Sequence, residues 1–208
     1  MKVNEIFFSI EGEGIRTGAL ATFVRFTGCN LRCSYCDTKY AFSEGKEMSM
    51  DDIIREVENI SCRNVTVTGG EPLLQGIDLV RELCMRGYEV NVETCGALPI
   101  EDVQFQNSIV TMDYKTPSSG MENKMLLSNI PKLRKQDVLK FVCAREDFET
   151  VKRIYEEYYP ACPVFISPVF GKCEPIELVE LAKEIGMPNV RVQVQLHKII
   201  WKPDERGV

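Results

Sequence analysis

Gly28-Cys29-Asn30-Leu31-Arg32-Cys33-Ser34-Tyr35-Cys36-Asp37-Thr38 carries three thiols within eight residues, immediately after a strand-like run from Ala19 to Thr27. The chain reads as intracellular, where such spacing serves metal ligation rather than disulfide formation, and thiolates suit zinc or iron-sulfur iron. A closed zinc site takes four ligands, whereas three cysteines on a four-iron cluster leave one iron open to an outside ligand. An open iron is a place for chemistry. The zinc alternative needs a remote fourth ligand, and the chain has one histidine and no second C-x2-C to supply it.

Outward from this loop, Ala21, Phe23, Val24 and Phe26 mark Ala19 to Thr27 as a buried strand with the cysteines at its C-terminal end. Upstream, Asn4 to Ile10 places Ile6, Phe8 and Ile10 on one side and runs into Gly12-Glu13-Gly14, which reads as an edge strand and a loop. Downstream, Ser49 caps a helix over Met50 to Val57 with acidic residues in its first turn. Val65 to Thr68 is a short strand ending at Gly69-Gly70, and Leu79 to Arg86 is a helix stopped by Gly87. Strands are predicted over Glu89 to Thr94, Ile109 to Tyr114, Val138 to Val142 and Val164 to Ser167, and helices over Asp147 to Tyr159 and Pro175 to Ile185. Val190 to Gln195 closes the series as a strand alternating toward the core.

Strands alternating with helices at this spacing indicate parallel βαβ units. Cys29, Gly69, Glu93, Asp113 and Ser167 all fall at strand C-termini. That fits an open doubly wound sheet or a partial barrel, since both bind ligands there. The 208 residues, 44% hydrophobic, suit one domain with a sizeable core, and no linker or repeat marks a second. No apolar run nears the ~18 residues a membrane span needs. Met1-Lys2-Val3-Asn4-Glu5 lacks a signal peptide's apolar stretch, so a cytoplasmic location is expected. A formal charge of −6 argues against a broad nucleic-acid surface. Of nine cysteines, the other six (Cys62, Cys84, Cys95, Cys143, Cys162, Cys173) read as small buried hydrophobes or inert thiols.

The C-x3-C-x2-C of Cys29, Cys33 and Cys36 resembles the signature of radical S-adenosylmethionine enzymes, and Thr68-Gly69-Gly70-Glu71-Pro72 resembles their second motif. Phe8-Ser9-Ile10-Glu11-Gly12-Glu13-Gly14, Arg25, Cys36-Asp37-Thr38 and Gln195-Leu196-His197-Lys198 narrow the resemblance to the 7-carboxy-7-deazaguanine synthase family, over nearly the whole chain up to about Pro203. The resemblance implies an α/β fold, a partial (β/α)6-type barrel in a single domain. It also implies a lyase, the radical ring contraction of 6-carboxy-5,6,7,8-tetrahydropterin to 7-carboxy-7-deazaguanine with loss of ammonia, in queuosine biosynthesis. The implied cofactors are a 4Fe-4S cluster, S-adenosyl-L-methionine and Mg2+; the implied partners are an electron donor such as flavodoxin or ferredoxin and a second subunit of a homodimer.

By this resemblance Cys29, Cys33 and Cys36 hold the cluster and Thr38 ligates Mg2+, although Thr38 alone reads as a turn or cap residue. Thr68, Gly69, Gly70, Glu71, Glu93, Asp113, Lys115 and Ser167 are expected around S-adenosyl-L-methionine. Glycines at a strand end let backbone approach a ligand, while Asp113 and Lys115 could equally pair with each other. Glu11 and Glu13 could accept hydrogen bonds from the pterin's guanidine-like edge, with Thr68 and His197 also at the substrate. Arg25 could grip its carboxylate, or pair internally with Glu11 or Glu13. Two departures stand out: position 11 is Glu where many members have Gln, and the chain continues past Pro203, where some members end, with a tail that could fold away. The alternatives are an activase of glycyl-radical enzymes, which shares the cysteine motif, and a non-enzymatic metal or electron-transfer module.

Overall fold

The computed structural model describes residues 1–202 and 205–208; Pro203, where the resemblance was expected to end, lies outside them. One nine-stranded sheet organises the chain, in the order β3-β1-β2-β4-β5-β6-β7-β8-β9. β1 (Lys2–Ile10) runs antiparallel to β2 (Leu20–Phe26), and β3 (Lys46–Glu47) pairs only with Lys2 and Val3. From β2 onward each neighbour is parallel: β4 (Asn64–Gly69), β5 (Glu89–Thr94), β6 (Ser108–Tyr114), β7 (Val138–Cys143), β8 (Val164–Pro168) and β9 (Val190–Val192). The order is linear, so the sheet is an open, partial barrel.

Four helices cover one face: α1 (Met50–Ile60), α2 (Ile77–Met85), α3 (Phe148–Tyr158) and α4 (Pro175–Ile185). The cap read from sequence forms, Ser49 accepting from Asp52 N at 3.1 Å, and Gly87 and Gly186 follow α2 and α4 with positive φ. The segments joining β5 to β6 and β6 to β7 contain only short 3-10 turns. A fifth, four-residue helix, α5 (His197–Ile200), follows β9.

Because side chains alternate along a strand, register sorts the sheet into two faces. Val65 and Val67, Val90 and Val92, Val110 and Met112, and Leu139 and Phe141 are buried and join one hydrophobic cluster with Ile53, Leu79, Leu83, Ile154 and Leu178 of the helices. The intervening residues, among them Thr66, Asn91, Glu93, Thr111, Asp113 and Lys140, occupy the other face.

Over Asn4 to Ile10 the first strand is an edge as expected, since β3 pairs only with Lys2 and Val3. One expectation is corrected. The last strand stops at Val192 and is only half-buried. Past it, Gln193 turns to the first loop, accepting from Gly14 N and donating to Thr17 Oγ1, both at 2.7 Å. Its backbone N–H still donates to Ile166 O of β8 at 3.0 Å, and the side-chain contacts then tie the chain to the first loop, where the pairing ends.

Candidate active site

The parallel strands end around a cavity of about 320 Å³, within the ~300–1,000 Å³ span usual for small-molecule sites. Cys29, Cys33 and Cys36 line part of its wall, all free thiols. Their loop is tied down from outside: Ser34 N donates to Ser119 O at 3.0 Å and Tyr35 Oη to Val142 O at 3.1 Å. No group of three His, Cys, Asp or Glu side chains gathers to hold a single ion among the described residues. Three separate thiols on one wall suit a cluster, in which each thiolate takes its own iron.

Gly70 makes this loop possible. A Cβ there would lie 2.0 Å from Gly28 O, and the next amide, Glu71 N, donates to that same oxygen at 2.8 Å. The glycine pair therefore accommodates the start of the cysteine loop as well as lining the cavity. The Glu71 side chain is fully buried and its carboxylate accepts from Leu73 N, Thr94 Oγ1 and Cys95 N at 3.0, 2.9 and 2.8 Å. Glu71 braces two strand ends and is not among the cavity-lining residues. Ser167 is likewise absent from the lining; it sits opposite Val142 in register, buried, with no partner for its Oγ among the described residues.

A cluster of acids and ammoniums also lines the cavity. Lys140 on β7, 3% exposed, lies 3.1 Å from Glu13 Oε2, 3.4 Å from Glu93 Oε2 and 3.3 Å from Asp113 Oδ1. Lys115 lies 2.9 Å from Asp113 Oδ2. Burial alone would lower the Lys140 pKa, but the carboxylates of Asp113, Glu13 and Glu93 hold it well above the ordinary value. Burial likewise opposes ionisation of Asp113, and Lys115 and Lys140 overcome it, holding its pKa below the usual range. Glu93 goes the other way, raised chiefly by burial despite Lys140.

The loop after β1 closes this wall. Glu11 is 2% exposed and accepts a short hydrogen bond from Thr66 Oγ1. Burial first, and the Glu93 carboxylate second, push its pKa up to about 7. Gly12 packs on His197, whose Nδ1 would lie 2.1 Å from a Cβ there, and burial keeps the His197 pKa below its ordinary value. A neutral imidazole offers one donor and one acceptor.

Arg25 pairs with neither Glu11 nor Glu13. Its Nε donates at 2.7 Å to Glu5, the residue opposite it in register, and Tyr40 Oη donates to the same carboxylate at 3.0 Å. Its terminal nitrogens make no hydrogen bond among the described residues, so the guanidinium fork is available to a carboxylate in the cavity. Thr38 Oγ1 donates to Asp37 Oδ1 at 2.9 Å, and Lys198 pairs with Asp37 at 2.8 Å. That leaves the Thr38 oxygen's lone pairs free to face a cation. The tail folds onto the site instead of away: Glu205, Gly207 and Val208 line the cavity, and Arg206 stacks 3.8 Å over the Tyr40 ring.

The family model of the radical SAM superfamily matches residues 23–185. The 7-carboxy-7-deazaguanine synthase of Clostridium acetobutylicum is 42% identical over 218 residues, covering 100% of this chain and 99% of that protein. The chain belongs to the 7-carboxy-7-deazaguanine synthase family. A second family member, from Hyperthermus butylicus, is 45% identical over 220 residues, covering 98% and 94% of the two chains. In fold, the chain is similar to the crystal structure of QueE from Escherichia coli, with a TM-score of 0.76, 23% identity and 94% of each chain covered. Membership of this enzyme family sets aside the activase and electron-transfer alternatives.

The residues present fit the cofactors the superfamily implies. Besides the three thiols, cavity-lining Glu13 Oε1 and Gln195 Oε1 are buried without a hydrogen-bond partner among the described residues. Buried polar atoms in this state mark a site built for a polar ligand. Of the residues expected at the site, the structure brings Glu11, Glu13, Arg25, Thr38, Thr68, Gly69, Gly70, Glu93, Asp113, Lys115 and His197 to one cavity with the cysteines. Reading the sequence missed Lys140. Its signal was available: a lone lysine inside the apolar run Val138-Leu139-Lys140-Phe141-Val142, where an unpaired charge would be costly.

Proposed function

We propose that this chain contracts 6-carboxy-5,6,7,8-tetrahydropterin to 7-carboxy-7-deazaguanine with loss of ammonia. The observation that carries the reading is the cavity itself. It brings the free fork of Arg25 and the carboxyls of Glu11 and Glu13 into one cavity with three cysteines, in a chain of this family. When bound, the 4Fe-4S cluster and S-adenosyl-L-methionine supply a carbon radical able to abstract a substrate hydrogen.

Cys29, Cys33 and Cys36 would hold the cluster. Thr68, Gly69, Gly70, Glu93, Asp113 and Lys115 would bind S-adenosyl-L-methionine, with Ser167 at the end of a neighbouring strand. Glu71 serves this site indirectly, by fixing the turn. Arg25 would anchor the substrate carboxylate, Glu13 and His197 would hold its ring, and Thr38 would offer an oxygen to a Mg2+, a hard cation that takes oxygen ligands. The chain thus orients the substrate and excludes water, while the cofactors carry the difficult step. A homodimer reduced by a flavodoxin or ferredoxin, acting in the cytoplasm toward queuosine, completes the proposal. No helix among the described residues is long and apolar enough to cross a membrane.

Anaerobic incubation of the reconstituted protein with the pterin, S-adenosyl-L-methionine, reductant and Mg2+ is expected to release the deazapurine, identified by mass. An intact cluster that cleaves S-adenosyl-L-methionine yet yields no deazapurine would overturn the assignment.

A further inference from the structure

Four carboxyls and two ammoniums meet at the acidic wall, and the ion pairs do not reach all four acids. Lys140 contacts Glu13, Glu93 and Asp113, and Lys115 contacts Asp113. Glu11 has no ion pair among the described residues, although it is 2% exposed. Each neighbouring element offers it something other than a bound cation. From β4, Thr66 Oγ1 donates to Oε1; from β5, Asn91 and the Glu93 carboxylate face it. Its own loop carries Glu13, committed to Lys140, and Arg16, whose Nη1 donates to Glu89 O at 3.0 Å. His197 packs across Gly12. A buried carboxyl beside a second carboxylate and without its own cation takes up a proton rather than remain charged.

We propose that Glu11 works as a neutral acid, its Oε1 held by the Thr66 hydroxyl and its Oε2–H donated to an acceptor on the bound heterocycle. This reverses the role expected from sequence, in which both loop acids accept. Glu13, ion-paired with Lys140, accepts; Glu11, two residues away, donates. An adjacent donor and acceptor read a ring edge that presents a carbonyl beside an N–H, the lactam pattern. The ligand half of the proposal rests on the substrate class proposed above, whereas the protonation state does not.

The first test needs no cofactor or substrate. In protein labelled with 13C at the glutamate carboxyls, the resonance lost in Glu11→Gln is expected to titrate with a midpoint near 7. A resonance already ionised at about pH 5, the ordinary glutamate range, overturns the proposal whatever the reaction. The second test is kinetic. Wild-type kcat/KM for the pterin is expected to fall about tenfold per pH unit above the midpoint, as the donor is lost. Glu11→Gln keeps a donor and an acceptor, so its profile should lack that alkaline limb and exceed wild type roughly thirtyfold near pH 8.5. An alkaline limb that persists in Glu11→Gln, or a loss beyond ~100-fold near pH 6 in that variant, counts against the donor role. If no deazapurine forms at any pH while the resonance titrates near 7, the proposed reaction fails and the neutral acid stands.

Discussion

The two faces of β4 to β7 are built from alternate residues of the same strands, yet they obey opposite rules. Toward the helices stand Val65, Val67, Val90, Val92, Val110, Met112, Leu139 and Phe141; toward the cavity stand Thr66, Asn91, Glu93, Thr111, Asp113 and Lys140. A parallel sheet covered on both sides reads as continuous apolar runs. Here the alternation survives in the interior because one face lines a cavity and must hold charge. The apolar face is stabilised by burial, roughly 25 cal/mol per Å². The polar face persists only because its charges are paired. One face therefore tolerates small changes of volume, and the other does not tolerate the loss of a single cation.

Lys140→Met should break the comparison most severely, since it swaps a paired ammonium for an apolar chain of similar length. Glu13 and Glu93 would lose their cation, and Asp113 would keep only Lys115. Removing one partner of a buried pair costs about 3–5 kcal/mol. Urea unfolding at neutral pH is expected to show a loss of that size, together with loss of turnover. Adding Glu93→Gln to Lys140→Met should restore part of the stability, because it removes one of the stranded charges. A single Lys140→Met variant as stable as wild type would show that the polar face does not depend on this pairing.

Glu11→Gln sharpens the same contrast through pH. The Glu11 pKa is raised from 4.5 to about 7, so the folded chain holds this proton more tightly than the unfolded one. That contribution is fully present below pH 4.5 and is lost as pH rises to about 7. Across that window the wild type should lose about 3 kcal/mol relative to Glu11→Gln, with no further divergence above it. Paired denaturation curves at several pH values read the gap directly. A gap that stays constant with pH would mean that Glu11 ionises in the folded chain as it does in the unfolded one.

Local chemistry explains which parts of this design could be read in advance. The cysteine spacing, the Ser49 cap, the glycine that ends α2 and the alternation of β5 and β6 are short-range signals, and each element formed where they pointed. Lys140 stood out as a lone lysine in an apolar run, but its partners were opaque because they are distant: Glu13 lies 127 positions away and meets it only in the folded sheet. Arg25 was legible as a cavity residue but not as the partner of Glu5, since that pairing depends on the β1–β2 register. Glu71 looked like a ligand because its motif is at a strand end. Its carboxylate turned out to be committed to three neighbours of its own chain. Strand β9 was overestimated because the sequence pattern continues past Gln193, whose backbone makes the last bond to β8 while its side chain ties the chain to the Gly14 loop.

The smallest expected effect lies on the helix-facing side, at Ile53 of α1, which is fully buried in the apolar cluster. Ile53→Val removes one methylene without introducing charge or polarity, a change that typically costs about 0.5–1.5 kcal/mol. Its side chain is not among those lining the cavity, and no carboxylate or ammonium of the acidic wall belongs to its cluster. Stability should therefore fall by that amount while kcat/KM and its pH profile stay those of wild type. If the pH profile moved with so small a deletion, the helix-facing packing would be setting the positions of Glu93 and Asp113 through the shared strands. The two faces would then be one mechanical unit instead of two independent ones.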